Sequence, residues 1–374
     1  MSHLAIRSYR IFDGRRFIGP GVVAVVDQTN VGVLRGEAAL IVAGTELVDV
    51  GDDLISPGLV DVHSHGGGGS SFGTDPWPAI ELHRSHGSTT LVASLVTQSL
   101  DELERQVREL APLVQTGELA GIHLEGPWLA PERKGAPPAA KLRAPASDEI
   151  RRILDAGAGT IKMVTLAPEL AGGLAAVELL VNRGVVAAIG HTDADLDTTT
   201  AAIAAGATGA THLFNAMPPL HHRAPGPILG LVRDERVWLE LIVDGVHVHL
   251  DLVAETFKRY GDRVVLVTDA MAAAGQSDGD YVLGDRAVRV VDGVARLVDG
   301  GSIAGSTLTL DAAVRNCIAA GVPTEQALRA ATSLPARYLG LPAGVLAPER
   351  AADLVVWTPD WRIDRVLRRG QWVR

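Results

Sequence analysis

The chain has 374 residues, 47% of them hydrophobic and 4% aromatic, which suits one large domain with a modest accessory domain and an aliphatic core. A formal net charge of −10 argues against nonspecific nucleic-acid binding, which requires a basic surface. The single cysteine, Cys317, excludes an intramolecular disulfide, and the lack of a signal core or a membrane-length apolar run predicts a cytoplasmic protein without membrane contact.

Short strand-like runs occur at both ends of the chain. Residues 1–53 contain Leu4–Ile11, Val22–Val26 and Leu40–Ala43, with Gly and Asn between them. Residues 343–374 contain Asp353–Trp357, Arg365–Arg368 and Gln371–Val373. Because short strands need a partner sheet to be stable, we predict that the two ends form one small β-sandwich interrupted by a central domain.

The central domain, residues 54–342, alternates between strand-like and helical runs. Eight runs are strand-like: Gly58–His65, Thr89–Leu95, Ala120–Gly126, Ile161–Ala167, Val185–His191, Gly209–Phe214, Trp238–Val243 and Val264–Asp269. Segments with helical spacing of apolar residues lie between them: Asp101–Leu113, Glu149–Ala156, Leu174–Arg183, Thr198–Ala205 and Val253–Tyr260. Eight strand–helix repeats predict a closed (β/α)8 barrel of about 250 residues. An open doubly wound sheet is the alternative, but Gly66–Gly69 lacks the spacing of a dinucleotide-binding turn.

Imidazoles and carboxylates lie at or near the ends of most of these runs. They are His63, His65, His123, Glu125, His191, His212, His247 and Asp269. Barrel enzymes place catalytic groups at the carboxyl-terminal ends of their strands, so we expect these side chains to converge. Such ligands suit a divalent metal, zinc first, with iron, manganese, cobalt or cadmium as alternatives.

The residues leave open whether one or two ions bind. Glu125, His191 and His212 make a three-ligand site with an open position for water, which is typical of a catalytic metal. His63 and His65 are two residues apart, so on a strand they point to the same side. Together with a bridging Glu125, this pair can hold a second ion.

Two further residues are candidates for catalysis. Asp269 is placed to take a proton from the attacking water and pass it to a leaving group, the alternative being a helix cap or ion-pair partner. His247 can polarise a carbonyl or bind substrate, whereas His249 is interpreted as a loop residue and His123 as a supporting residue. Lys162 lies near the start of its run, which argues against hydrolases that bridge two metals with a carbamylated lysine.

Seven motifs of the sequence match a known family. They are Pro57–Gly66, His123–Pro127, Gly190–Thr192, Thr211–Met217, Asp244–His247, Val267–Ala270 and Ala304–Leu308. With these motifs the chain resembles, over nearly its whole length, the amidohydrolase superfamily and within it the N-acetylglucosamine-6-phosphate deacetylases. The resemblance implies hydrolysis of N-acetylglucosamine 6-phosphate to glucosamine 6-phosphate and acetate. It implies Glu125, His191 and His212 as ligands of the main metal and the two earlier histidines as an optional second site.

The resemblance also implies functions for residues outside the metal site. Asp269 matches the general base and acid, and His247 matches a residue that contacts the sugar and the acetyl carbonyl. The backbone amides around Asn215 and Ala216, with Arg223, match the phosphate site. In similar enzymes this arginine reaches the neighbouring subunit, which implies a homodimer that acts on a small amino-sugar phosphate.

One loop departs from the family pattern. Where the family has Lys-Gly-Ala-His-Asn-Pro or a close variant, this sequence has Lys134-Gly135-Ala136-Pro137-Pro138 after Arg133, so Pro137 replaces the histidine. Because this loop lies near the substrate in similar enzymes, the sugar preference stays open. The alternatives are another N-acetylhexosamine 6-phosphate, a different N-acyl amine, a deaminase, and a barrel that binds without catalysis.

Overall fold

The structure, a computed structural model, describes residues 3–34 and 45–373. Six strands precede the central barrel: β1 His3–Ser8, β2 Arg10–Ile11, β3 Gly21–Val26, β4 Thr29–Leu34, β5 Glu46–Asp49 and β6 Leu54–Pro57. The predicted strand Leu40–Ala43 lies outside the described residues.

Eight parallel strands form the barrel in chain order. They are β7 Leu59–Ser64, β10 Ser88–Val96, β11 Gly121–Glu125, β12 Ile161–Leu166, β13 Val186–Ile189, β14 Gly209–Ala210, β15 Trp238–Ile242 and β16 Val264–Val267. A separate short antiparallel pair, β8 Gly66–Gly67 and β9 Ser70–Ser71, follows β7. The last strand returns to the first, since the amide of Asp269 donates to the carbonyl of His63 at 2.8 Å. This closure confirms the predicted barrel and shows that the open-sheet alternative is wrong.

The barrel strands are almost entirely buried, because helices cover their outer face and the inward-pointing side chains of all the strands fill the interior. All four residues of β16, for example, are buried. The sixth predicted run, Gly209–Phe214, was too long. Its second half forms turns, because His212 and Phe214 have φ values of +29° and +81°, which a strand cannot accommodate.

The helices lie between the strands as expected. They are α1 Pro76–Ser85, α2 Leu100–Gln115, α3 Ser147–Ala156, α4 Gly173–Asn182, α5 Leu196–Ala204, α6 Gly226–Arg233, α7 Leu250–Tyr260, α8 Leu310–Ala319, α9 Thr324–Ala330 and α10 Ser333–Tyr338. Ser99 caps α2 by accepting from the amide of Glu102, and Cys317 is buried in α8. Within residues 3–34 and 45–373, none of these helices is both long and apolar enough to span a bilayer.

A three-stranded antiparallel sheet that the sequence analysis did not predict follows the last barrel strand. It consists of β17 Gly279–Leu283, β18 Arg286–Val291 and β19 Val294–Leu297. Its buried face packs Leu283, Val288 and Leu297 against Met271 and Ala272, which come directly after the barrel. The sheet is thereby held beside the carboxyl-terminal end of the barrel.

The two chain ends meet in a β-sandwich, as predicted. The last strands are β20 Leu354–Trp357, β21 Ile363–Arg368 and β22 Gln371–Trp372. One sheet has the order β4-β3-β1-β5 and the other β2-β6-β20-β21-β22, with β20 antiparallel to β6. Leu4, Ile6, Val23, Ile55 and Val356 belong to the apolar core shared by both sheets. The domain boundaries at residues 53/54 and 342/343 stay predictions.

Candidate active site and metal centre

Three side chains form what we call the first cluster. Glu125 ends β11, whereas His191 and His212 lie two residues beyond β13 and β14. Oε1 of Glu125 is 3.1 Å from Nε2 of each histidine, and the two Nε2 atoms are 3.1 Å apart. All three side chains are buried. Their lone-pair atoms converge in the way that a divalent metal requires.

A second cluster consists of His63, His65 and Asp269. Nε2 of His65 is 3.1 Å from Oδ1 of Asp269, and the Nε2 atoms of the two histidines are 3.3 Å apart. Oε2 of Glu125 lies 3.2 Å from Nε2 of His65, and Oε1 lies 3.5 Å from Nε2 of His63. Glu125 therefore lies between the two clusters, where a bridging carboxylate would be.

The hydrogen bonds made by the Nδ1 atoms of the clustered histidines show whether the Nε2 atoms can act as metal ligands. Nδ1 of His65 lies 3.1 Å from the carbonyl oxygen of Ser94, and Nδ1 of His191 lies 2.9 Å from that of Arg133. A carbonyl can only accept, so each Nδ1 carries a proton, which leaves Nε2 as the ring nitrogen that can coordinate a metal. These two rings are thus oriented as metal ligands need to be, and the residues fit a divalent ion.

Glu240, in the middle of β15, is a supporting residue that the sequence analysis missed. Its Oε2 lies 3.0 Å from Nδ1 of His63, and neither side chain is exposed to solvent. The carboxylate accepts a hydrogen bond from Nδ1 of His63 and thereby turns the Nε2 atom of that ring towards Asp269 and Glu125. The available signal was a carboxylate inside an otherwise apolar run, since such groups are rarely buried without a partner.

Close acid–imidazole pairs dominate the electrostatics of the site. Burial alone would lower the pKa of both histidines, but the surrounding carboxylates outweigh it, raising the pKa of His63 to about 9 and that of His65 to about 10. Burial likewise opposes ionisation of Glu125 and Asp269, yet the imidazoles hold the pKa of each carboxyl below its usual value. Positive charge is therefore favoured between these groups, which is what a metal ion supplies.

The backbone is strained at three of the clustered residues. His191, His212 and Asp269 have φ values of +48°, +29° and +48°, in the left-handed region that non-glycine residues rarely adopt. Strain of this kind is tolerated where the surrounding structure enforces it, and it concentrates at functional sites. Here it aims three side chains inward from strand ends.

A cavity lies above the clusters and brings together most of the predicted site residues. It is lined by His65, Glu125, His191, His212, Asn215, Ala216, His247 and Asp269. His63 lies behind this surface and is fully buried. Arg223 is exposed on the loop before α6, where its guanidinium lies 2.7 Å from Nε2 of His222, and it does not line the cavity of its own chain.

His247 lies on the bend that follows β15 and is anchored by Asp244. Nδ1 of His247 is 2.6 Å from Oδ2 of Asp244, whose other oxygen accepts from the amides of Val246 and His247. Burial disfavours the charged imidazole, but the carboxylates of Asp244 and Asp269 raise the pKa of His247 above its usual value. The ring is therefore rigidly oriented at the cavity wall, unlike His249, which is exposed.

His123 and Lys162 have the structural positions expected for them. Nδ1 of His123 lies 2.9 Å from Oγ of Ser94, and Nε2 lies 2.8 Å from Oγ1 of Thr165, so both ring nitrogens are occupied by hydroxyl groups. Burial lowers the pKa of this imidazole well below its usual value. Lys162 is the second residue of β12, at the far end of that strand from the clusters.

Two segments provide most of the remaining walls of the cavity. One is the loop Gly135–Pro138, which includes Pro137, the residue that departs from the family pattern. The other is Leu283–Arg286, the turn between β17 and β18, together with Ile303 and Gly305. The sequence analysis did not assign this turn to the site, because nothing in its spacing relates it to the barrel strands.

The barrel and its two histidine–carboxylate clusters define a metal-dependent hydrolase. Residues 54–373 match the amidohydrolase family, and the chain belongs to this family, as its motifs predicted.

Proteins similar to the chain have been given more specific names. A mutant of the N-acetyl-D-glucosamine-6-phosphate deacetylase of Mycobacterium smegmatis, in complex with N-acetyl-D-glucosamine-6-phosphate, matches with a TM-score of 0.95 and 47% identity over 100% of both chains. The N-acetylgalactosamine-6-phosphate deacetylase of Escherichia coli O157:H7 is 34% identical, over 95% of this chain and 93% of its own length. The N-acetylglucosamine-6-phosphate deacetylase of Vibrio furnissii is 32% identical, over 98% and 94%.

Proposed function

We propose that the chain hydrolyses the acetamide of N-acetylglucosamine 6-phosphate, releasing glucosamine 6-phosphate and acetate in amino-sugar catabolism or cell-wall recycling. The observation that carries this proposal is the meeting of Glu125, His191 and His212 beside Asp269 in one cavity. The names and substrates of the similar proteins support the choice of an amino-sugar phosphate. Phosphorylated sugars are retained inside cells because they are charged, so we also propose that the protein is cytoplasmic.

Glu125, His191 and His212 would hold the main metal, and His63 and His65 would hold a second ion that shares Glu125. We propose zinc, with iron, manganese, cobalt and cadmium as alternatives, and one or two ions per subunit. When bound, the ion would polarise the acetamide carbonyl and make the attacking water more acidic. Elemental analysis of the purified protein identifies the metal and its stoichiometry.

Asp269 would transfer the proton. Its carboxyl is ionised because the neighbouring imidazoles hold its pKa below the usual value, so it can accept a proton from water. The same carboxyl then gives that proton to the amine nitrogen as the carbon–nitrogen bond breaks. The left-handed backbone at Asp269 keeps the side chain aimed at the cavity during both steps.

His247 would bind the acetyl oxygen. With Nδ1 held by Asp244 and the pKa of the ring raised, Nε2 carries a proton that it can donate to the carbonyl oxygen. The donated hydrogen bond strengthens as negative charge develops on that oxygen.

The phosphate would be bound by the backbone amides around Asn215 and Ala216, which line the cavity. We further propose a homodimer in which Arg223 of the partner subunit completes this site, since Arg223 is exposed and lies away from the cavity of its own chain. The mass of the protein in solution, measured by light scattering, tests for the dimer.

The test of the proposed function is acetate release from a panel of N-acetylhexosamine 6-phosphates, with ammonia measured in parallel. We expect acetate and no ammonia from N-acetylglucosamine 6-phosphate, and no release after chelation until metal is restored. N-acetylgalactosamine 6-phosphate is the second candidate substrate, favoured by the name of the E. coli relative and by Pro137 at the cavity wall. Ammonia release would indicate a deaminase, and a metal-replete protein inactive on the whole panel would contradict a deacetylase.

A further inference from the structure

A second cavity lies at the opposite end of the barrel from the metal clusters. It has a volume of about 810 Å³ and lies between helices α9 and α10 and two loops of the β-sandwich, one between β2 and β3 and one before β20. Ala331, between the two helices, accepts a hydrogen bond at 2.9 Å from the amide of Val60, near the start of β7. Because His63 and His65 lie at the other end of that strand, this cavity is not part of the catalytic site.

Close backbone contacts hold the walls of the second cavity together. The amide of Leu346 donates to the carbonyl of Asp13 at 2.9 Å, which joins the two loops of the β-sandwich. Gly344 has a φ of +75°, and a Cβ at this position would overlap the carbonyl group of Thr332 in the barrel domain. The walls therefore keep fixed positions, and the volume is in the range of sites that bind small molecules.

Arginines from three separate parts of the chain line the second cavity. They are Arg15, Arg329, Arg337 and Arg350. None of the residues described as lining it is acidic. Across residues 3–34 and 45–373, only Arg329 of the four forms an ion pair, at 2.9 Å from Asp262, whose side chain is 83% exposed. Like charges repel one another, so this arrangement is unfavourable unless an anion offsets it.

A buried hydroxyl group beside these arginines has no partner. Ser333 lines the cavity and is 6% exposed. In the part of the chain that the structure describes, its Oγ makes no hydrogen bond, whereas Oγ of the buried Ser306 donates to the carbonyl of Thr268 at 2.6 Å. Most buried side-chain polar atoms are hydrogen-bonded, so the Ser333 hydroxyl is a donor that a ligand can use.

Phosphate groups match this lining. A guanidinium offers a phosphate two parallel charged hydrogen bonds, and a hydroxyl adds a neutral one. A single phosphate monoester carries a charge of about −1.5 to −2 at pH 7, which is less than the four guanidinium groups supply. The ligand should therefore carry at least two phosphates. An organic part of the ligand suits the remaining wall, which is apolar and consists mainly of Leu334, Ala336, Leu341, Ala343 and Val345.

We propose that the second cavity binds a small organic molecule with two or more phosphate groups, such as a nucleoside diphosphate. The four arginines and the hydroxyl of Ser333 bind the phosphates, and the organic part packs against the apolar wall. This site is separate from the catalytic cavity, and the inference does not depend on the proposed deacetylase function.

The experiment is calorimetric titration of the metal-loaded protein with ADP and, separately, with adenosine. We expect ADP to bind at one site per chain and adenosine to bind at least tenfold more weakly, because it lacks the phosphates. Arg15→Gln/Arg350→Gln should raise the Kd for ADP at least tenfold, and both positions are exposed, so the fold does not depend on them. Ser333→Ala removes one neutral donor and should raise the Kd by a smaller factor, about threefold to tenfold.

Arg108→Gln/Arg152→Gln is the matched control, since it removes the same charge from exposed positions on α2 and α3 that do not line the cavity. The control should keep the Kd for ADP within twofold. An unchanged Kd in either cavity variant overturns the inference and would place ADP elsewhere, for example at the metal clusters. Absence of ADP binding, equal affinity for adenosine, or equal weakening in the control overturns it as well.

Discussion

The two ligand clusters use the same kinds of atoms but differ in how they are built. In the first cluster, His191 and His212 lie beyond their strands on strained backbone. In the second cluster, His63 lies within β7 and His65 directly follows it, so the regular strand geometry places both rings. The second cluster also includes Asp269, the residue proposed to transfer the proton.

Because of this difference, metal binding and proton transfer can be tested separately. The first cluster contains only ligand groups, so a substitution there should act through the metal. In the second cluster the metal-binding histidines are in direct contact with the proton carrier, since Oδ1 of Asp269 is 3.1 Å from Nε2 of His65. Glu125 contacts both clusters, and the comparison therefore predicts that its loss has the largest effect.

Glu125→Ala should abolish metal binding in both clusters and reduce acetate release by several orders of magnitude. Removing the shared carboxylate takes the only acidic group from the first cluster and leaves Asp269 alone to offset a divalent ion beside four buried imidazoles. Elemental analysis and the acetate assay measure the two effects. Glu178→Ala, an exposed position on α4, is the control. A variant that keeps a full complement of metal would contradict the bridging position of Glu125.

Asp269→Asn should separate catalysis from metal binding. Loss of general acid–base catalysis typically lowers turnover by about 10²- to 10⁴-fold. The first cluster does not contain Asp269, so about one ion per chain should remain bound. Near-normal turnover would refute the proton-transfer assignment, and loss of all metal would show that the two clusters are not independent.

Much of the fold could be predicted from the sequence, because barrel strands buried on both faces leave long apolar runs. The run Val264–Val267 is of this kind, and it lies where it was predicted. The sheet β17–β19 was missed because its strands expose residues such as Val282 and Val291 to solvent, and it occupies a position where the barrel pattern calls for a loop before a helix. A local insertion of this kind has no counterpart in the strand–helix repeat.

The candidate site was predictable to the extent that its residues end strands or follow them within two residues. Glu125 ends β11 and Asp269 lies two residues after β16, and the structure brings them together within one cavity. Glu240 lies in the middle of a strand and acts through His63, so a search for polar residues at strand ends does not identify it. The turn Leu283–Arg286 reaches the cavity through tertiary contacts such as the hydrogen bond from Lys141 to Asp285, which sequence spacing does not reveal.

The double variant His63→Asn/His65→Asn tests the second cluster separately. We expect one ion per chain to remain and turnover to fall less than in Asp269→Asn, because the first cluster and the proton carrier are intact. The matching double variant His191→Asn/His212→Asn should lose its catalytic ion and almost all activity. Equal metal loss and equal activity loss in the two variants would remove the distinction between the clusters.

Glu240→Gln should have the smallest effect of the series, confined to the second cluster. Glutamine keeps the size of the side chain but weakens the hydrogen bond that orients His63, and loss of such an outer contact typically costs about 10- to 100-fold in metal affinity. Competition with a chelator should show one ion bound as before and one bound more weakly. In the background of His63→Asn the substitution should have no further effect on metal binding, because Glu240 acts through that ring. Equal weakening of both ions would instead indicate a general disturbance of the barrel interior.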